Sequence, residues 1–290
     1  MRRAALIYNP RSGRQQHGRI LDGILSTFRQ GGMAVEPLPT DGPGDATTIA
    51  RRLAAGGKVR TVFSLGGDGT AREVAAGLLG SEVALGVLPG GTANRLALSL
   101  GLPQDPLDAA SALLRFRPRP FDVGLAGSTP FLMMVSAGLD AFVLSRLSTQ
   151  LKWRFGKGAI ACQGVYEWWR YGYPELRLTV DGEPLTASFA AVSNIPFYAG
   201  SFQLAPGARP DDRKLNLVAF RGTGRVAMLS FTADVLRAVH VQRSDVLYRP
   251  VEEVVLAEPA GAVAQVDGDV CAERLPVQVR LAPEQLLLLS

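Results

Sequence analysis

Along residues 1–120, short apolar runs alternate with segments whose apolar positions recur every three or four residues. Ala4 to Tyr8 is a run of the first kind and predicts a buried strand. Ile20, Leu21, Ile24, Leu25 and Phe28 share one helical face, closed by Gly31-Gly32. Asp45 is placed to cap a helix carrying Ile49 and Leu53 that ends at Gly56-Gly57, and Thr61 to Leu65 reads as the next strand. Val83 to Leu88 is another strand, and Asp105-Pro106 opens a last helix through Leu114, stopped by Pro118. Strand and helix alternating at this spacing predict a parallel sheet covered on both faces. In such sheets ligands bind at the carboxyl ends of the strands.

From Phe121 the period changes to two. Phe121, Val123 and Leu125 alternate with other residues, as do Leu176, Leu178 and Val180, then Leu215, Leu217 and Ala219, then Val277, Val279 and Leu281 ahead of Leu286–Leu289. Asp181-Gly182 and Asp267-Gly268 predict hairpin turns. The expected fold class is therefore α/β, with two domains. Residues 1–120 form a parallel-sheet nucleotide-binding domain. Residues 121–290 form a mostly antiparallel β-sandwich or barrel, whose last strands are free to return to the first domain. A chain of 290 residues that is 47% hydrophobic is long enough and apolar enough for both.

Two glycine-rich turns fall at the strand ends: Gly66-Gly67-Asp68-Gly69-Thr70 and Pro89-Gly90-Gly91-Thr92-Ala93-Asn94. A plain strand-to-helix turn accounts for one or two glycines, with positive φ at glycine and Thr70 capping the helix. Glycines crowded around one carboxylate go further. They let a ligand approach the backbone, and the N–H groups that open a helix attract anions. Asp68 would repel bare phosphate, so the turn predicts phosphate together with a divalent cation, which means a nucleotide.

The net charge of +5 fits an anionic partner, and only Lys58, Lys152, Lys157 and Lys214 among the 31 basic residues are lysine. The arginines are scattered and no nucleic-acid-binding motif accompanies them, so no nucleic acid is expected. Two widely separated cysteines, Cys162 and Cys271, make neither a disulfide framework nor a zinc knuckle. The first apolar run is too short for a signal peptide, and no stretch approaches the ~20 apolar residues of a membrane span. The expected location is cytoplasmic, peripheral to the membrane. Leu151 to Tyr173, rich in aromatic residues, reads either as a core helix or as a wall of an apolar-ligand site.

Several segments, taken in order, carry a resemblance. They are Asn9-Pro10 with Ser12-Gly13, the Gly66–Thr70 turn followed by Glu73-Val74, Pro89–Asn94, and Phe121-Asp122-Val123-Gly124. Tyr198-Ala199-Gly200, Leu204-Ala205-Pro206, Pro210-Asp211-Asp212 and Asp267-Gly268-Asp269 follow. The set resembles the diacylglycerol kinase catalytic-domain family, in the bacterial soluble lipid kinase branch that is also similar to sphingosine and ceramide kinases. The match runs over nearly the whole chain. It implies an ATP-dependent kinase that transfers the γ-phosphoryl group to the hydroxyl of diacylglycerol or a related lipid alcohol. It also implies that Asn9, Thr40, Gly66, Gly67, Asp68, Gly69, Thr70, Arg72 and Thr92 hold ATP. A Mg²⁺ would be bound by the Asp212 carboxylate and the backbone carbonyls of Arg209 and Lys214, and linked through waters to Asp68 and Asp122. Asp269 would deprotonate the acceptor hydroxyl. A lipid acceptor implies peripheral contact with an anionic membrane surface, and a homodimer is compatible with the family.

Three positions depart from the family's pattern. Arg95 stands where aspartate is usual, Arg72 where asparagine is usual, and Arg213 where glycine is frequent. Two other readings therefore stay open: an NAD-type kinase, which shares Gly-Gly-Asp-Gly-Thr, and a non-catalytic lipid-binding protein of the same fold. Two look-alike turns also compete for the base, Val180-Asp181-Gly182-Glu183 and Val266-Asp267-Gly268-Asp269. The family's base lies after the metal segment and shortly before the final strands. That order assigns it to Asp269 and leaves Glu183 in an ordinary hairpin.

Overall fold

The computed structural model describes residues 2–12, 17–146, 164–198 and 202–290. Gly13, Lys152, Lys157, Cys162, Ala199 and Gly200 lie outside the described residues, as does the 151–163 part of the aromatic segment. Met1–Val123 with Pro283–Ser290 form one compact unit and Gly124–Ala282 another.

In chain order the first unit contributes β1 (Arg2–Tyr8), α1 (His17–Gln30), β2 (Met33–Pro39), α2 (Asp45–Gly56) and β3 (Thr61–Gly66). It continues with α3 (Asp68–Leu78), β4 (Ala84–Pro89), α4 (Arg95–Ser99), α5 (Pro106–Leu113) and β5 (Pro118–Phe121). The second unit opens with β6 (Gly124–Ala126), β7 (Thr129–Phe131), β8 (Met134–Ala137), α6 (Leu139–Arg146) and α7 (164–170). There follow β9 (Leu176–Val180), β10 (Glu183–Ala187), β11 (Phe189–Ser193), β12 (Leu215–Phe220) and α8 (Gly224–Leu236). The unit ends with β13 (Val246–Val251), β14 (Glu253–Glu258), β15 (Val263–Val266), β16 (Asp269–Arg274) and β17 (Val277–Leu281), after which β18 (Leu286–Leu289) belongs to the first unit again.

The first unit's sheet runs β2-β1-β3-β4-β18-β5, parallel from β2 through β18 with β5 antiparallel against β18. Helix α1 buries Ile24 and Phe28, and the Phe28 ring stacks on Phe63 of β3 at 4.2 Å between centroids. Each such fully buried side chain contributes about 1.5–3 kcal/mol. Asp105 caps α5 as expected, its Oδ1 accepting from Leu107 N and Asp108 N at 2.8 and 3.1 Å. Asp45 does not cap α2. Gly44 holds that position at φ 82°, and the Asp45 carboxylate accepts from Asp41 N at 3.0 Å instead. Strand β2 was not among the expected elements, because Pro37 and Pro39 argue against a strand interior; it lies at the sheet edge, where proline is tolerated.

The second unit packs two antiparallel sheets, β10-β9-β14-β17-β6-β7 and β13-β12-β11-β8-β15-β16, about a shared core that includes Phe131, Val135, Leu178, Leu217, Val254 and Val279. Of the two expected forms it is the sandwich. Its helices depart from the β pattern. Strand β12 is buried at all its positions rather than at every second one, because α8 covers it: Phe231 stacks on Phe220 at 4.4 Å. No helix among the described residues is long and apolar enough to cross a membrane.

Candidate active site

The expected nucleotide residues of the first unit sit where parallel strands end. Asn9 follows β1; its N–H donates to Leu65 O at 3.1 Å and its Oδ1 accepts from Arg11 N at 2.9 Å. Thr40 follows β2, is buried, and donates its N–H to Tyr8 O at 2.9 Å. Gly66 ends β3, Gly67 is the N-cap of α3, Arg72 lies one turn into that helix, and Thr92 is exposed on the turn after β4. Asp122 is fully buried between β5 and β6, its Oδ1 accepting from Gln285 Nε2 at 2.9 Å.

The glycines of these turns serve close approach, not left-handed backbone. None of Gly66, Gly67, Gly69, Gly90 or Gly91 has positive φ. The two turns lie backbone against backbone, with Gly90 N donating to Gly66 O at 2.8 Å. A Cβ on Gly90 would come within 2.8 Å of Gly66 N, and one on Gly91 within 2.5 Å of Gly67 Cα. Thr70 lies inside α3 and is not its cap. The N-cap is Gly67, without a side-chain hydrogen bond, so the first N–H groups of α3 keep their capacity for an outside acceptor.

Asp68 ties one turn to the other. Its Oδ2 accepts from Arg95 N at 3.1 Å and its Oδ1 from Leu96 N at 3.0 Å, so it caps α4 from across the gap. Asn94, the backbone N-cap of α4 at φ 47°, uses its own amide on Gly91, accepting from the N–H at 2.8 Å and donating to the carbonyl at 3.1 Å. The Arg95 guanidinium lies 3.8 Å from Asp68 Oδ2, so the residue that departs from the family pattern is a counter-ion to Asp68. The carboxylate thus has a structural task beside any role toward metal and water.

In the second unit, Asp212 is half-buried in the 209–214 segment and accepts from Lys214 N at 3.0 Å. Arg213 adopts φ 60°, a conformation that favours glycine, and its guanidinium donates to Ala282 O at 2.9 Å. Among the described residues no cluster of three or more His, Cys, Asp or Glu could hold a metal. The set that the resemblance implies, one carboxylate with the Arg209 and Lys214 carbonyls, would be all oxygen, the chemistry a hard cation such as Mg²⁺ takes.

The two Asp-Gly turns are the same in backbone, φ 51° and 88° at Asp181-Gly182 and again at Asp267-Gly268. Their aspartates differ in surroundings. Asp267 is buried and accepts from Leu132 N, Met133 N and Met134 N at 2.8, 2.9 and 3.0 Å. Asp181 accepts from Arg249 at 2.7 Å and from Glu252 N and Glu253 N at 2.9 and 3.0 Å. Partial burial pushes its pKa up, but the Glu253 N–H, Arg249 and the Glu252 N–H outweigh that and hold it below the usual carboxylate range. The acids that follow, Glu183 and Asp269, are both exposed at the start of a strand.

Among the described bonds, only the second turn is joined to a buried polar chain that sequence reasoning missed. Gly268 N donates to Gln265 Oε1 at 2.7 Å, and Gln265 Nε2 donates to Ser136 Oγ at 2.7 Å. Ser136 in turn donates to Asp140, which also accepts from Tyr198 OH at 3.0 Å and from Ala141 N at 2.7 Å. Burial pushes the Asp140 carboxyl above its ordinary pKa, against those three donors. A cavity of about 590 Å³ lies beside this chain in the same unit, its lining including Gly138, Phe142, Tyr171 and Leu176 with Arg146 and Arg170.

Family models divide the chain in two. One described as a diacylglycerol kinase catalytic domain matches residues 3–126, and one described as a YegS C-terminal NAD kinase beta sandwich-like domain matches residues 133–290. A YegS-like lipid kinase from Chromohalobacter salexigens is 34% identical over 260 residues, covering 85% of this chain and 83% of that protein. The diacylglycerol kinase of Bacillus subtilis is 28% identical over 259 residues, covering 88% and 85%. A solved diacylglycerol kinase structure from Bacillus anthracis strain Sterne aligns with a TM-score of 0.80 over 99% of this chain and 96% of that one; at 23% identity this speaks for the fold alone. Fold and relatives together define a kinase of lipid alcohols. The chain belongs to the bacterial family of diacylglycerol kinases and YegS-like lipid kinases.

Proposed function

We propose that this chain transfers the γ-phosphoryl group of ATP to the hydroxyl of a membrane lipid, diacylglycerol or a related alcohol, from a cytoplasmic position at the membrane surface. Residues 1–123 with 283–290 seat the nucleotide and residues 124–282 hold the acceptor. The observation that carries the reading is the pair of interlocked glycine turns at the strand ends, tied by Asp68, with the N-terminus of α3 open to an anion. Asn9, Thr40, Gly66 to Thr70, Arg72 and Thr92 line the nucleotide, and the backbone N–H groups of Gly66 and Gly67 face its phosphates.

Phosphoryl transfer needs positioning, neutralised charge and a base near the attacking oxygen. Asp269 takes the acceptor's proton, the acceptor oxygen bonds to the γ-phosphorus, and the bond to the bridging oxygen of ADP breaks. The Asp212 carboxylate and the carbonyls of Arg209 and Lys214 would hold Mg²⁺, which when bound would supply positive charge and ordered water, the chemistry that Asp68 and Asp122 as its water-linked partners would call for. Arg95 tempers the charge of Asp68. The hydrogen-bonded chain from Tyr198 to Gly268 holds the turn that presents Asp269, a support the Glu183 turn lacks among the described bonds.

The test is labelled ATP with Mg²⁺ and a panel of lipid alcohols in mixed micelles, NAD⁺ serving as the soluble control. Label is expected in the lipid. Asp269→Asn should lose ~10²–10⁴ in kcat with ATP binding kept, while Glu183→Gln stays within a few-fold of the parent. Label in NAD⁺ alone would replace the lipid acceptor by a dinucleotide. No label in either, with lipid still bound, would leave a non-catalytic lipid-binding protein.

A further inference from the structure

Helix α8 is apolar on two sides. Met228, Phe231 and Val235 are buried against the sandwich. On the other side Val226 is 83% exposed, Leu229 58% and Leu236 55%. At about 100° per residue these three, with Ala233, fall within an arc of roughly 80°. Scattered exposed apolar residues are ordinary, but an apolar stripe along a helix is not.

Helix α7 extends the stripe. Trp169 is 62% exposed, and Val165 and Tyr166 are exposed beside it. Arg225 of α8 lies over the Trp169 ring at 4.8 Å and donates to the Trp169 carbonyl at 2.7 Å, which joins the two helices into one surface. Cations border that surface. Arg225 and Arg237 stand on opposite sides of the α8 stripe, and Arg170 lies over the Tyr166 ring at 5.4 Å. Of the acidic neighbours, Glu167 is buried and Asp234 is held by Arg243 at 2.6 Å; Arg237 lies 3.7 Å from the other Asp234 oxygen but keeps its side chain largely exposed.

A tryptophan, branched aliphatic side chains and a border of arginines match the layers of a lipid interface. Rings sit at headgroup depth, aliphatic groups enter the acyl boundary, and guanidiniums meet phosphate. A second copy of the same face, paired about a two-fold axis, would instead bring arginines toward arginines. We propose that the α7–α8 face docks this protein on an anionic bilayer, with Trp169, Val226, Leu229 and Leu236 inserted and Arg225 and Arg237 on the headgroups. The proposal rests on the lipid-kinase reading for its purpose, and its binding test is independent of turnover.

The full chain is sedimented with vesicles of equal phosphatidylglycerol and phosphatidylcholine, and with phosphatidylcholine alone. Val226→Glu with Leu229→Glu is compared with Arg60→Glu, an exposed position in the first unit that gives the same change in net charge. Binding to the anionic vesicles is expected to fall by at least ~10-fold in the double variant and to stay within about two-fold in Arg60→Glu. Bilayers brominated on the acyl chains should quench tryptophan emission, less so in Trp169→Phe. Equal losses in both charge variants, or no vesicle binding by the parent, would overturn the proposal. So would a parent dimer that the double variant dissociates without any vesicle binding. A short-chain acceptor dissolved below its micellar concentration separates this from the kinase reading: the double variant should still phosphorylate it. Vesicle binding with no turnover of any acceptor supports the docking face and overturns the kinase reading instead.

Discussion

Asp68 uses both carboxylate oxygens on the N–H groups of Arg95 and Leu96, so substitution can separate its charge from its hydrogen bonds. Asp68→Ala leaves two half-buried donors without their acceptor, and losing a cap of this kind costs about 1–2 kcal/mol. Asp68→Asn keeps one acceptor oxygen and loses the charge. Thermal melts should order as parent, Asn, Ala, while transfer is lost in both variants; an alanine variant that melts with the parent would mean the tie between the turns contributes nothing. The sequence marked the Gly66–Thr70 turn but not why it is glycine-rich, since small residues do not say which backbone they admit. Asp140 gave no signal at all. It follows Leu139 in a plain helical start, and its partners include Tyr198, far along the chain.

Among the elements, the paired hairpins show how much a turn signature carries. The Asp-Gly pair alone was enough to place the turns of β9–β10 and β15–β16, because the tight hairpin geometry it suits needs positive φ twice in succession. It could not distinguish one aspartate buried beneath three N–H groups from one held at the surface by Arg249. Asp267→Ala should therefore destabilise more than Asp181→Ala, by about 1–3 kcal/mol for the stranded buried donors. Asp181 titrates below the usual range when folded, so its contribution is present above the ordinary carboxylate pKa and is lost as pH falls through the folded value. Asp181→Asn should flatten that part of an acid-unfolding profile followed by circular dichroism. Helix α8 escaped sequence reading for a related reason. Being apolar on two sides, it shows no clean helical period among the strands.

At the scale of the whole molecule, the switch from a 3.6 to a 2 period near Phe121 made the α/β class legible, since each period reports the local surroundings of its own strands. Pairings distant in sequence left no such mark: β18 is a short leucine run that pairs with β4 and β5, and nothing in its letters names those partners. The same holds for the carboxylates assigned to one reaction, with Asp68 in one unit and Asp212 and Asp269 in the other. A metal bound by Asp212 and two carbonyls needs only the second unit and no nucleotide. A ligand held by the native state alone raises stability as its concentration passes the dissociation constant, by about 1.4 kcal/mol at ten times that value. For a unit of this size that is a rise of roughly 3–6 °C in Tm. Melts in Mg²⁺ and in K⁺ at matched ionic strength should separate by that amount without ATP. Asp212→Ala also loses its bond to Lys214 N and should melt lower in both salts, so the decisive quantity is the gap between them. That gap should close in the variant, and a parent protein that shows none would remove the metal from the 209–214 segment.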